Sequence, residues 1–240
     1  MTKTLLILGA NSDIAKAYAK LWTGKNPSGT LILGSRNTEE LEKFVSANAL
    51  HERTTITALD VCAYETHHDF YNGLPNKPSE VLYAAGVMFD NETALPNWQE
   101  SASMIDVNYK GAVSLLNIIA NDENNINLKR IVGISSIAGV KVRKSNFLYG
   151  ATKAALSGYL FGLWQQLSKR KIIVQALTPG FVDTKMTKHL KLKASLLNTP
   201  EEIAQKLFQS KKYFYVYPNI KWLAIALILK MLPLKLLSKI

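Results

Sequence analysis

Six short apolar runs punctuate the 240-residue chain, and longer stretches of helical periodicity separate them. The runs are TLLIL (4–8), TLILG (30–34), TTITAL (54–59), EVLYAA (80–85), RIVGISS (130–136) and IIVQAL (172–177). Each is nearly continuous in apolar residues, as expected of strands covered on both faces. Helices are expected near 12–22, 38–49, 97–120, 147–169 and 200–209, with a weaker candidate at 64–72. Such alternation predicts an α/β fold: one doubly wound parallel sheet with helices on both faces. KYFYVYP (212–218) reads as a last strand, and the lysine-spaced stretch 184–200 reads as a mobile loop. A single domain over 1–218 followed by an apolar, basic tail over 219–240 accounts for the whole pattern.

Charge is unevenly distributed. The net charge is +11, yet residues 184–240 alone hold eleven lysines against Glu201 and Glu202. A basic C-terminal quarter points to an anionic partner, or to a solvated lysine-rich surface. Nucleic acid is not expected, because no aromatic–basic interleaving of a known module is present. Cys62 is the only cysteine, which excludes an intrachain disulfide and zinc-finger spacing and fits a reducing, cytoplasmic setting. The N-terminal MTKTLLILGANSD reads as a strand and a glycine turn rather than a signal peptide. Of the four histidines, His51, His67, His68 and His189, the adjacent pair lacks an i,i+4 partner. It reads as a solvated helix end, and no metal site is expected.

The first strand runs into GANSDIAKAYAK, where a glycine turn feeds a helix N-terminus. Free backbone N–H groups and the helix dipole meet there and can hold a pyrophosphate. The second strand ends in LGSRNTEEL, with Ser35–Arg36 where a dinucleotide fold often carries an acid for the ribose 2′-OH. An arginine suits a 2′-phosphate, so NADP(H) is expected over NAD(H), unless Arg36 only solvates a loop. Asp60 could accept from an adenine amino group, or it could cap a turn.

The chemistry is expected in ISSIAGVKVRKSNFLYGATKAAL, residues 134–156. Tyr149 and Lys153 stand four apart on a helix and share a face. A lysine cation near a phenol lowers its pKa from about 10, which makes the tyrosine a usable acid or base near neutrality. Ser136 stands at a strand's C-terminal end, where α/β sheets present their ligands.

Taken together, these blocks resemble the short-chain dehydrogenase/reductase family, with a Rossmann-type fold. GANSDIA, LDV, AAG (84–86), Asn108 in IDVNYKG, SSIAG with YGATK, and PGFVDT (179–184) occur in order over residues 3–184. The resemblance implies that Tyr149 exchanges a proton with a carbonyl or alcohol oxygen and that Ser136 polarises that oxygen. It implies that Lys153 bonds the nicotinamide ribose and lowers the Tyr149 pKa, and that Asn108 anchors a water in a proton relay. Gly9, Asn11, Ser12 and Ile14 would line the cofactor loop, with Ser35 and Arg36 at the 2′-phosphate. Asp60 and Val61 would border adenine, and Ala85 and Gly86 the adenosine ribose. Pro179, Gly180, Val182 and Thr184 would border the nicotinamide amide and phosphate. Two family glycines are replaced, by Asp13, which could turn outward as a cap, and by Ala15. The family's Asn-Ala-Gly reads Ala84-Ala85-Gly86, so a polar contact near the adenosine is in question. A homodimer or homotetramer through the helices bearing Asn108 and Tyr149 is the family habit.

The tail NIKWLAIALILKMLPLKLLSKI is too interrupted for a simple membrane span. Its longest apolar run, Trp222–Leu229, is eight residues, lysines stand at 221, 230, 235 and 239, and Pro233 should break the helix. Two readings remain open. The helix could lie in a membrane interface with its lysines on anionic headgroups, making the enzyme peripheral to a membrane. Alternatively it packs on the core or on a subunit neighbour. The substrate expected is a small carbonyl or alcohol compound. It could be lipid-linked, since reductases of polyprenyl-phosphate-linked keto sugars have a similar character. Alternatives are a soluble ketone or 3-oxoacyl substrate with an oligomerising tail, or a non-catalytic NADP-binding scaffold. The intact Ser136, Tyr149, Lys153 and Asn108 argue against the scaffold.

Overall fold

The computed structural model describes residues 3–188, 190 and 193–237, with Leu234 and Leu237 as backbone only. His189 and the tail residues Ser238, Lys239 and Ile240 lie outside the described residues. In chain order the first half runs β1 (Thr4–Leu8), α1 (Asp13–Lys25), β2 (Thr30–Ser35), α2 (Thr38–Ala47), β3 (Thr54–Ala58), α3 (His67–Asn72), β4 (Glu80–Tyr83), α4 (Asn91–Ala94), α5 (Trp98–Ile105) and α6 (Gly111–Asn121). There follow β5 (Arg130–Ile134), α7 (Phe147–Leu167), β6 (Ile173–Leu177), β7 (Phe181–Val182), β8 (Leu197–Asn198), α8 (Pro200–Gln209), β9 (Tyr215–Val216), α9 (Ile220–Met231) and α10 (Leu234–Leu237). The main sheet has the order β3-β2-β1-β4-β5-β6-β9, and every pairing is parallel.

Side-chain alternation along β1 shows how two cores form. Leu5 and Ile7 pack with α1, α2 and α8, while Leu6 and Leu8 pack with α3, α6 and α7. In α1, Ile14, Ala15, Tyr18, Ala19 and Trp22 form one buried stripe at helical spacing. Ala15 is fully enclosed, so the methyl in place of a family glycine is accommodated within the core. At the end of the sheet away from the strand C-termini, Arg130 is 3% exposed and donates to Glu80, Gln175 and the carbonyls of Leu207 and Ser210. Tyr18 donates to the same Glu80 carboxylate. One cation thereby ties α1, β4, β6 and α8 together.

The helix expected over 97–120 is divided. A π-helical turn, Asp106–Lys110, separates α5 from α6 and carries Asn108, which is completely buried. The extra residue of a π turn re-aims side chains inward, and hydropathy alone does not register it. The strands β4 and β5 end two residues earlier than expected, where 84–85 and 135–136 leave the sheet. TTITAL differs from the two-faced burial expected, because β3 is an edge strand and no residue of Thr54–Ala58 is fully buried. The last strand is only Tyr215–Val216, and a two-stranded parallel pair of β7 and β8 was not anticipated. Pro233 does end α9, leaving the short α10.

Packing of α9 on the domain is direct. Trp222, Ala226 and Leu229 are buried in a cluster with Ile137, against which Val140, Phe181 and Leu196 also pack. Trp222 Nε1 donates to Asn198 Oδ1 at 2.9 Å. Among the described residues no helix is long and apolar enough to cross a membrane.

Candidate active site

A cavity of about 690 Å³ opens at the C-terminal ends of the central strands. Its floor is set by Gly9, whose φ of +86° is one that a side chain resists. A Cβ there would stand 2.4 Å from the Ala85 nitrogen, so the β1–α1 turn and the exit of β4 touch through bare backbone. Ser12 caps α1 without a side-chain bond, which leaves first-turn N–H groups for a ligand. Asn11 Nδ2 donates to Ser35 Oγ (2.9 Å) and to the Asn37 carbonyl (2.7 Å), tying the turn to the end of β2. Asn11 Oδ1 is buried with no partner. Arg36 lines the cavity at an exposed rim and makes no side-chain hydrogen bond or ion pair among the described residues.

The cavity is lined by Gly9, Asn11, Ser12, Ile14, Ser35, Arg36, Val61, Ala85, Gly86, Pro179, Gly180, Val182 and Thr184, together with Ser136, Tyr149 and Lys153. Two expected residues do not line it. Asp60 is exposed, and its Oδ1 accepts from the Cys62 N–H at 2.9 Å, so it caps a turn while Leu59 and Val61 face the cavity. Asn108 lies behind the wall. The cradle fits a dinucleotide: a glycine turn that any Cβ would fill, a helix N-terminus, an orphaned acceptor and an unpaired arginine at the far end.

Asp13 does not turn outward. Its Oδ2 accepts from the Lys185 backbone N–H at 2.8 Å, joining the start of α1 to the segment that follows β7. The Lys185 ammonium bonds Glu40, which also bonds Lys16 at 2.6 Å. The two lysines hold the Glu40 carboxyl below its usual pKa. This strap crosses 172 positions of sequence, which is why no local pattern announced it.

Tyr149 (8% exposed) and Lys153 (3%) occupy one face of α7, and Ser136 (9%) lies at the exit of β5. Ser136 Oγ accepts from the Ala138 N–H at 3.1 Å. Lys153 Nζ donates to the Ile134 carbonyl at 2.9 Å and lies 5.7 Å from the Tyr149 ring centroid. Asn108 Oδ1 accepts from the Val87 N–H (2.8 Å), and its Nδ2 donates to the Val87 carbonyl (2.9 Å) and to Thr152 Oγ1 (3.0 Å). Asn108 therefore clamps the β4 exit to α7. A Cβ on Gly86 would come within 3.3 Å of both Asn108 Oδ1 and Lys153 Nζ, so these two groups converge on one glycine.

The expected lowering of the Tyr149 pKa is not what the enclosed site produces. Burial pushes the phenol up to about 12, with the Ser136 hydroxyl beside it pulling the other way. Burial likewise brings the Lys153 ammonium down to about 8. In both cases desolvation of the charged form is the leading cause.

Sequence reasoning missed Val87, Met88, Phe89, Arg143 and Asn146, which line the same cavity. They come from connections without periodicity or a motif. Met186 and Leu190 line it too, from the segment after β7. His67 also departs from expectation: it is fully buried, with Nδ1 2.8 Å from Ser114 Oγ and Nε2 3.2 Å from the Asp60 carbonyl. Among the described residues no three His, Cys, Asp or Glu side chains gather as a metal would require.

With this geometry in place, comparison with known proteins is decisive for the family. The profile of the short chain dehydrogenases matches residues 3–195. The chain belongs to the short-chain dehydrogenase family. It is accordingly an NAD(P)-dependent oxidoreductase, and the blocks that suggested the resemblance lie inside the matched span. An uncharacterized oxidoreductase of Staphylococcus epidermidis is 28% identical over 188 residues, covering 77% of this chain and 80% of that protein. Another, from Staphylococcus saprophyticus, is 27% identical over 212 residues, covering 85% and 88%. The solved structure of ElxO with NADP bound superposes with a TM-score of 0.81 at 20% identity, covering 93% of this chain and all of that one. A short-chain dehydrogenase from Sphingobium yanoikuyae in complex with NADPH gives 0.79 at 20% identity, covering 93% and 92%. At such identities the likeness shows the shared short-chain dehydrogenase fold.

Proposed function

We propose that this short-chain dehydrogenase is an NADP(H)-dependent carbonyl reductase in which Tyr149 is the proton donor. The observation that carries this reading is the enclosed phenol, held protonated at neutral pH beside Ser136 and above Lys153. When bound, the nicotinamide supplies hydride to the carbonyl carbon. Ser136 Oγ would hold the carbonyl oxygen, and the Tyr149 hydroxyl would donate its proton to that oxygen as negative charge develops. Lys153 Nζ, now on the Ile134 carbonyl, would hold the ribose hydroxyls and restore the proton. Asn108 would position this set through Val87 and Thr152. Arg36, without a counter-ion, supports a 2′-phosphate and hence NADP(H). The test is NADPH and NADH consumption across a carbonyl panel. Arg36→Asp should shift preference toward NADH by about tenfold or more, and no shift would remove Arg36 from the 2′-phosphate.

A second reading concerns where the enzyme works. On α9, Ile220 (75% exposed), Leu227 (52%), Ile228 (59%) and Met231 (82%) form an outer apolar face, and Lys221 and Lys230 lie on the same helix. These features support peripheral binding to an anionic membrane, where a lipid-linked carbonyl compound would be met. The exposed Phe161 and Trp164 on α7 support subunit association instead. Co-sedimentation with phosphatidylglycerol vesicles decides the first. Failure of the full chain to bind them would exclude it.

A further inference from the structure

Between the turn after Ser136 and helix α7 runs VKVRKSN, residues 140–146, with three cations and no acid. Its backbone is pinned at Arg143 and just after it. Asn91 Nδ2 donates to the Lys144 carbonyl (2.8 Å), and the Asn146 N–H donates to the Arg143 carbonyl (3.2 Å). Arg143 and Asn146 line the same cavity as Ser136 and Tyr149. The Arg143 guanidinium makes no hydrogen bond and no ion pair among the described residues, and its Nε is shut from solvent without an acceptor. Asn146 Oδ1 is buried and unpaired in the same way. Desolvation lowers the Arg143 pKa with no carboxylate offsetting it.

Two of the cavity's other cations are bonded elsewhere, and the third stands at the exit of β2. Lys153 bonds the Ile134 carbonyl, Lys185 bonds Glu40, and Arg36 stands at the exit of β2. The one acid among the lining residues, Asp13, is tied to the Lys185 N–H at the start of α1. A half-enclosed guanidinium without a counter-ion is a planar fork of donors that matches a carboxylate or phosphate.

We infer that Arg143 is a specificity-determining residue and that the substrate is a carbonyl compound carrying an anionic group, carboxylate or phosphate, which Arg143 holds while Tyr149 and Ser136 engage the carbonyl oxygen. This rests on the reductase reading.

The experiment uses matched pairs with the full-length enzyme: acetoacetate and levulinate against their methyl esters, and dihydroxyacetone phosphate against dihydroxyacetone. NADPH consumption is followed, together with the melting temperature of the enzyme–NADP+ complex. At least one anion should exceed its neutral partner in kcat/KM by about tenfold or more, mainly through KM. The keto acids and the phosphate distinguish the two anion types. Arg143→Met should erase that preference, and Arg143→Lys should restore part of it. Neutral partners turned over as well as anions in every pair, or both members slowed equally by Arg143→Met, would overturn the inference. If no member of any pair consumes NADPH, the reductase reading fails, and binding alone decides on Arg143. Anions that raise the melting temperature of the wild-type complex but not of Arg143→Met then keep the assignment, and equal responses overturn it.

Discussion

Gly180 and Trp222 are packed face to face: a Cβ built on Gly180 would stand 2.1 Å from the indole carbons. The loop expected at the nicotinamide therefore rests on helix α9, whose first turn backs that loop from outside the cavity. Trp222→Ala removes a side chain only 4% exposed and its bond to Asn198. Emptying such a site costs about 3–5 kcal/mol. Urea unfolding should show that loss, and NADPH fluorescence titration should show weakened binding. Unchanged NADPH affinity in the folded variant would separate α9 from the cofactor loop.

Lys153 is held in the fold at a cost. A pKa brought from 10.5 to about 8 corresponds to roughly 3 kcal/mol of disfavoured ammonium. Lys153→Met relieves that cost and forfeits the bond to Ile134, worth about 1 kcal/mol. The variant should be about 2 kcal/mol more stable at pH 7 and inactive. The folded pKa lies below the unfolded one, so wild type gains stability as pH rises from about 8 toward about 10.4. The variant should lack that rise, and unfolding midpoints at pH 7 and pH 9.5 check both statements.

Arg130 and Glu80 form a buried pair at 2.9 Å. Arg130→Met strands the carboxylate, which is 13% exposed, and should cost about 3–5 kcal/mol. Arg130→Met combined with Glu80→Leu should recover most of that loss. A double-mutant cycle on urea midpoints measures the coupling, and simple additivity would contradict it.

His67 is neutral in the fold because burial lowers its pKa. The unfolded chain titrates near 6.5, so it binds more protons than the folded one below that pH. Stability should fall as pH drops below about 6.5, and His67→Gln should flatten the His67 share of that fall. Identical slopes between pH 7.5 and pH 5.5 for both proteins would contradict this.

The sheet was readable because its strands are buried on two faces and write themselves as apolar runs, as TLLIL does. Tyr149 and Lys153 were readable because four residues on a helix make one face. Other features depend on what the chain meets at a distance. Asp13 finds the Lys185 backbone far along the sequence, and the π turn at Asn108 leaves no trace in hydropathy. The Tyr149 pKa departs from expectation for a related reason: a neighbouring lysine is visible in sequence, while burial of the ring is not. Arg143 carries no sequence signal of its own, and only the fold shows that it lines the same cavity as Tyr149.

The most direct test of the reductase account is Tyr149→Phe, which removes one hydroxyl from a buried ring and leaves the cradle at Gly9 and Arg36 intact. Carbonyl-dependent NADPH consumption should fall by about 100-fold or more, as expected for loss of a general acid. NADPH binding by fluorescence titration should stay within about twofold of wild type, because the lost hydroxyl is kept for the substrate oxygen rather than the cofactor. Undiminished turnover by the variant would contradict the account.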